Sequence, residues 1–105
     1  VKEIILSLCK DVYPYFKKQG FSYPQIKFRK MTSQWGNCRA SKMIITFNTN
    51  LMYAPYECIE YVVIHEFVHL LQQNHSPKFY EEVEKLMPDW KERRRKLKQI
   101  PLYKN

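Results

Sequence analysis

The chain has 105 residues, 45% of them hydrophobic and 15% aromatic, enough for one domain with one core, read here as residues 1–105, and too few for two. It holds only two glycines, Gly20 and Gly36, and three scattered cysteines, Cys9, Cys38 and Cys58, which excludes a Gly-rich phosphate loop, a zinc ribbon and a disulfide framework. The formal net charge of +8 divides into +7 over residues 1–50, −5 over 51–84 and +6 over 85–105, so the two ends could attract nucleic acid, an anionic membrane or an acidic substrate.

In chain order, Ile4, Ile5, Leu8, Val12, Tyr15 and Phe16 recur at helical spacing, with Gly20 placed to stop the element. Pro14 lies inside that pattern and is expected to kink or shorten the helix. From Ile26 the period switches to two, with Ile26 and Phe28 on one side and Lys27 and Arg29 on the other, as in a strand with one wet face. Residues 34–37 read as a bend, and Met43 to Phe47 as a second strand, so an antiparallel pair is the economical expectation. Cys9 and Cys58 are expected in the core, as reduced thiols.

Pro55 suits the first position of a further helix, with Glu57 and Glu60 near its positive end, running to about Gln73. Residues 58–71 are apolar almost all round, which places this helix in the middle of the domain. Ser76-Pro77 starts another helix, with Phe79, Tyr80, Val83, Leu86 and Met87 inward, and Pro88 ends it. A short basic helix follows, carrying Lys91, Arg93, Arg94, Arg95, Lys96 and Lys98. That run reads first as a solvated face whose cations suit a helix C-terminus, and second as a nucleic-acid contact.

The central helix carries His65-Glu66-Phe67-Val68-His69, an HExxH pattern. At about 100° per residue, His65 and His69 lie about 40° apart and one turn along, so both imidazoles can meet one Zn²⁺. Glu66 is rotated further round, where a general base acting on the attacking water belongs. Two histidines and a glutamate on an apolar helix are costly to bury unless something pairs with them, and a metal does so. His75 is the leading third ligand, six residues past His69; Glu81, Glu82 and Glu84 are its rivals for a His, His, Glu site. The spacing to His75 is that of metzincins, but Gln72 stands where their turning glycine belongs. Tyr53, Tyr56, Tyr61, Tyr80 and Arg39 have the chemistry to stabilise a developing oxyanion.

Taken together, Arg29-Lys30-Met31, Trp35-Gly36-Asn37-Cys38, Ala54-Pro55, the His65 to Leu71 helix, Asn74 to Phe79 and Leu86 to Arg95 resemble the YgjP-like metallopeptidase domains, which are related to the SprT-like proteases. The resemblance implies a compact zincin-like fold with a small sheet beside the active-site helix; together with the elements read above, the expected class is α+β, with an N-terminal helix, a small antiparallel sheet, the central HExxH helix and C-terminal helices. It also implies that His75, in the His-Ser-Pro-x-Phe segment, completes the zinc site. Such proteins often have a further β-rich N-terminal part, so this chain is expected to be the C-terminal part of a longer protein. The expected function is zinc-dependent peptide-bond hydrolysis by a zinc-activated water, with Glu66 as general base, His65, His69 and His75 as ligands and a peptide or protein as substrate. The strand Met43 to Phe47 is the expected partner of an extended substrate. The alternatives are a DNA-associated SprT-like protease and a non-catalytic, zinc-stabilised binding module. No apolar run reaches the roughly 18 residues of a membrane span, nor is a signal peptide visible, so no membrane partner and a cytoplasmic location are expected.

Overall fold

A computed structural model describes residues 2–102. The elements follow in the order α1 (Lys2–Lys17), β1 (Gln25–Arg29), β2 (Gly36–Arg39), β3 (Ile44–Asn48), α2 (Tyr56–Val68), α3 (Pro77–Leu86) and α4 (Trp90–Lys98), with short 3-10 turns at Ala40–Lys42 and Thr49–Tyr53. The class is α+β. No helix among the described residues is long and apolar enough to cross a membrane.

The helix α2 is the axis of the molecule. Cys58, Ile59, Tyr61, Val62, Val63, Ile64, Phe67 and Val68 are all buried, so nearly every side of it is covered. On one side α1 contributes Ile5, Leu8, Cys9 and Phe16, with the Phe16 and Phe67 ring centroids 5.4 Å apart. Helices α3 and α4 cover further sides with Phe79, Val83, Trp90 and Leu97, and β2 runs beside what remains. Pro14 does not interrupt α1. It sits on the exposed face with Lys10 one turn before it, so the Lys10 carbonyl that loses its helical donor faces water.

The sheet corrects the expected antiparallel pair. Strands β1 and β3 run parallel, with Ile26 opposite Ile45 and Phe28 opposite Phe47. The antiparallel partner of β3 is β2, with Gly36 opposite Phe47 and Cys38 opposite Ile45. The order is therefore β1-β3-β2, a mixed sheet with β3 in the middle. Residues 36–39, expected in part as a bend, form its edge strand. A tight connection through Ala40–Lys42, with Met43 in the left-handed region at φ 55°, reverses the chain from β2 into β3.

The loop leading into β2 is held by the fully buried Asn48 amide. Its Nδ2 donates to the carbonyls of Met31 (2.8 Å) and Gln34 (2.9 Å), while its Oδ1 accepts from the amides of Asn50 (2.9 Å) and Met31 (3.3 Å). All four bonding positions of the side chain are used, so a polar residue is tolerated in the core and fixes where β2 begins.

The helix α2 also ends earlier than the expected Gln73. Its last residue is Val68, and His69 is the cap. A continuous helix would have carried residue 75 about 15 Å along the axis from residue 65. Instead the chain turns after His69, with the amides of Leu71 and Gln72 bonding to the Val68 carbonyl, and returns to start α3 at Ser76-Pro77.

Candidate functional site

That turn brings the three histidines together. The Nε2 atoms of His65 and His69 are 3.3 Å apart, those of His69 and His75 3.1 Å, and those of His75 and His65 3.2 Å. Three imidazoles bound to one tetrahedral zinc at about 2.0–2.1 Å place their nitrogens about 3.3–3.4 Å apart. The observed triangle is within a few tenths of an ångström of that.

Tautomers agree with the distances. The Nδ1 of His69 lies 3.0 Å from the Gln72 carbonyl, which can only accept, so Nδ1 carries the proton and Nε2 of the neutral ring is a bare lone pair. The Nδ1 of His65 is 3.3 Å from the Tyr61 hydroxyl, an outer partner of the kind that fixes a ligating imidazole. Lone pairs converging at such distances repel unless a cation lies between them. Protonation is disfavoured as well: burial, then the neighbouring His69 and His75 and the Arg94 charge, push His65 down to about 3. Burial also lowers His69, against the opposing bond to Gln72. Neutral imidazoles are the form that binds a metal, so the donor set fits one.

The three rings rest on a common support, the fully buried Phe79, whose ring centroid lies 4.9 Å from that of His65, 4.5 Å from His69 and 5.0 Å from His75. Ser76-Pro77 fixes where α3 starts and so where Phe79 stands. The rival donors are engaged elsewhere or face solvent. Glu82 accepts a 2.6 Å bond from Tyr15 and one from Lys85, Glu84 accepts from the Trp90 indole, and Glu81 is exposed. Among the described residues only His65, His69 and His75 form a group able to share an ion.

Glu66 is 5% exposed, and burial lifts its carboxyl to about 8. It lies against the β2 backbone. A Cβ added at Gly36 would meet Glu66 Oε2 at 2.8 Å and Cγ at 2.9 Å, so the close approach of α2 to the sheet edge depends on glycine at that position. The function of Gly36 was hidden in the sequence, where it reads as part of a bend.

Glu66 and the histidines line one cleft of about 520 Å³, together with Trp35, Gly36, Asn37 and Cys38 from the β2 side and Tyr80, Arg94 and Lys98 from the α3 and α4 side. Beyond His69 and Gln73 a smaller depression continues along β2 past Cys38 and Arg39. Of the oxyanion candidates, Tyr61 and Tyr80 line the cleft and Arg39 lies in its extension. Tyr61 is committed to His65, and burial raises its hydroxyl to about 12. Tyr80 is stacked on Trp90 at 4.7 Å. Tyr53 and Tyr56 are half exposed and do not line the cleft. The thiols of Cys9 and Cys58 are in the core, while Cys38 is half-buried in the cleft wall.

The family model of the YgjP-like metallopeptidase domain matches residues 1–100. The fold is similar to the crystal structure of the metallopeptidase zymogen abylysin of Pyrococcus abyssi, with a TM-score of 0.77 and 22% identity over 89% of this chain and 90% of that one. It is also similar to that of the metallopeptidase zymogen jannalysin of Methanocaldococcus jannaschii, with a TM-score of 0.74 and 17% identity over 90% of this chain and 94% of that one. At such identities the likeness concerns the fold. No curated protein matches the sequence.

Proposed function

We propose that this chain, which belongs to the YgjP-like metallopeptidase family, is a zinc metallopeptidase in which His65, His69 and His75 hold the ion and Glu66 is the general base. Family membership makes it a metal-dependent protease. The observation that carries the finer reading is the near-equilateral Nε2 triangle, 3.1–3.3 Å on a side. Three imidazoles with no carboxylate among them suit zinc better than calcium or magnesium, which prefer oxygen.

When bound, the metal supplies Lewis-acid polarisation of the scissile carbonyl and acidifies the attacking water. Everything else is the work of the chain. Glu66 follows His65 on α2 and lines the same cleft as the imidazoles. In the metal-free chain burial raises the proton affinity of its carboxyl, the direction that suits a group that takes a proton from water and passes it to the departing amine. Tyr61 and the Gln72 carbonyl keep two of the imidazoles in the ligating orientation.

The peptide is expected to lie along β2 rather than β3. The central β3 has both backbone edges occupied by β1 and β2, which overturns the expectation that Met43 to Phe47 pairs with substrate. Strand β2 is an edge strand whose residues line the cleft and its extension, so an extended peptide could add there as a further strand. The test is Glu66→Gln. The variant should keep its zinc and lose hydrolysis of a peptide library by about 10²- to 10⁴-fold. Full hydrolysis with zinc in place would remove Glu66 from the mechanism. A parent protein that binds zinc, unfolds on chelation and cleaves nothing would be a zinc-stabilised binding module.

A further inference from the structure

The basic helix α4 is divided in a way its sequence does not show. Three of its cations are neutralised by glutamate or aspartate: Arg93 by Glu60 (2.5 Å) and Asp89 (3.0 Å), Arg95 by Glu92 (2.6 Å) and Lys96 by Glu57 (3.9 Å). Lys91 lies over the Trp90 ring. Arg94 and Lys98, one turn apart and therefore on one face of the helix, instead line the metal cleft, and neither has an acidic partner among the described residues.

Arg94 is also held in place. Its guanidinium carbon lies 5.8 Å from the Tyr80 ring centroid, and Tyr80 is itself stacked on the buried Trp90. A guanidinium lying over an aromatic ring keeps its N–H donors free at its edge, the geometry that grips a carboxylate in two bonds. The single carboxylate lining the cleft among the described residues is Glu66, at 5% exposure. The part of the cleft lined by α4 is thus cationic, before any metal adds its charge.

We propose that Arg94 and Lys98 form a carboxylate-recognition subsite for the peptide lying between β2 and α4, so that the enzyme selects substrates bearing a carboxylate near the scissile bond. The proposal rests on the metallopeptidase reading. The carboxylate could be an Asp or Glu side chain or the free C-terminus of the peptide. Either places one anion opposite the Arg94 fork, with Lys98 adding charge at the rim.

The experiment uses three matched peptides: one neutral with blocked ends, one blocked with an internal Glu, and one without acidic residues but with a free C-terminal carboxylate. The readout is the kcat/KM ratio of each carboxylate peptide to the neutral one, for the zinc-loaded parent, Arg94→Ala, Arg94→Glu and Lys98→Glu. Arg95→Ala, on the solvent side and paired with Glu92, is the control. The parent should prefer a carboxylate peptide by about 10- to 100-fold, the span of a charge-assisted bidentate contact. Arg94→Ala should bring the ratio close to one, mainly through KM, and Arg94→Glu should invert it. Whichever carboxylate peptide carries the preference names the source.

A second readout avoids turnover. Glu66→Gln protein is titrated with the same peptides by fluorescence of Trp35, which lines the cleft, and Trp90, under Tyr80. The carboxylate peptides should bind more tightly, and the advantage should vanish when Arg94→Ala is added. A parent with no preference in either readout, or an Arg94→Ala that leaves the ratio intact, overturns the proposal. If no peptide is cleaved but the binding preference and its loss are found, the hydrolytic reading fails while the carboxylate subsite stands.

Discussion

Replacing Gly36 by alanine tests how closely the proposed base, Glu66, is positioned. Gly36 pairs with Phe47 in β2, and only Gly20 among the glycines has a positive φ, so alanine is allowed by the backbone and the conflict is one of space. The new Cβ would lie 2.8 Å from Glu66 Oε2, 2.9 Å from Cγ and 3.1 Å from Cδ, against the 3.5–4.0 Å at which carbon atoms are comfortable, so Glu66 must retreat by about 0.6–1 Å. Because Cγ is struck as well as the carboxylate tip, turning the last torsion does not relieve the clash, and the whole side chain must change rotamer on a buried helix. A displacement near 1 Å at a reacting group costs about 10²-fold in rate. The overpacking itself costs about 1–3 kcal/mol, which lowers Tm by about 4–8 °C per kcal/mol in a chain of this size. Gly36→Ala should therefore stay folded at 25 °C and keep the parental zinc content, with kcat down about 100-fold on a cleaved peptide. Parental kcat, or a loss of activity that simply follows a loss of zinc, would refute the argument.

Phe79→Leu should leave a folded protein by circular dichroism but weaken zinc retention about 10- to 100-fold in chelator competition, as loss of an outer positioning group does; unchanged affinity would mean that the ring is not what sets the three imidazoles. The metal-free protein should be most stable near pH 6.5. Glu66 holds its proton up to about 8 in the folded state against 4.5 unfolded, so stability rises as pH falls from 8 to 6.5, by up to about 1.4 kcal/mol per unit. Below 6.5 the unfolded chain protonates His65, which stays neutral to about 3 when folded, and His69, also lowered, so the two together outweigh Glu66 and stability falls. Urea unfolding in EDTA across pH 4.5–8.5 checks this, and a stability that climbs steadily to pH 8 would contradict it.

The parts of the molecule visible in the sequence are those with local causes. A helix apolar on nearly all sides must be central, and α2 is. HExxH places two imidazoles one turn apart, and Ser76-Pro77 marks the start of α3. What was not visible depends on distant pairing. Strand β2 holds one apolar side chain, Cys38, so alternation could not reveal it, and nothing within a strand encodes that β1 runs parallel to β3. The early end of α2 has no glycine or proline to mark it between Val68 and Pro77; the turn, closed by the bond of His69 to the Gln72 carbonyl, is recognisable only once His75 is seen beside the other two histidines. Arg94 looked like one cation in a basic run; only the pairing of Arg93, Arg95 and Lys96 on other faces of α4 sets it apart.

The most direct test of the central claim is zinc per chain by elemental analysis, for the parent and for His75→Ala, after zinc supplementation and buffer exchange. The account predicts about one zinc in the parent and a much reduced content in the variant, since two imidazoles cannot replace three. A parent that retains no zinc when supplied with it, or a His75→Ala protein that retains as much as the parent, would contradict the three-histidine site.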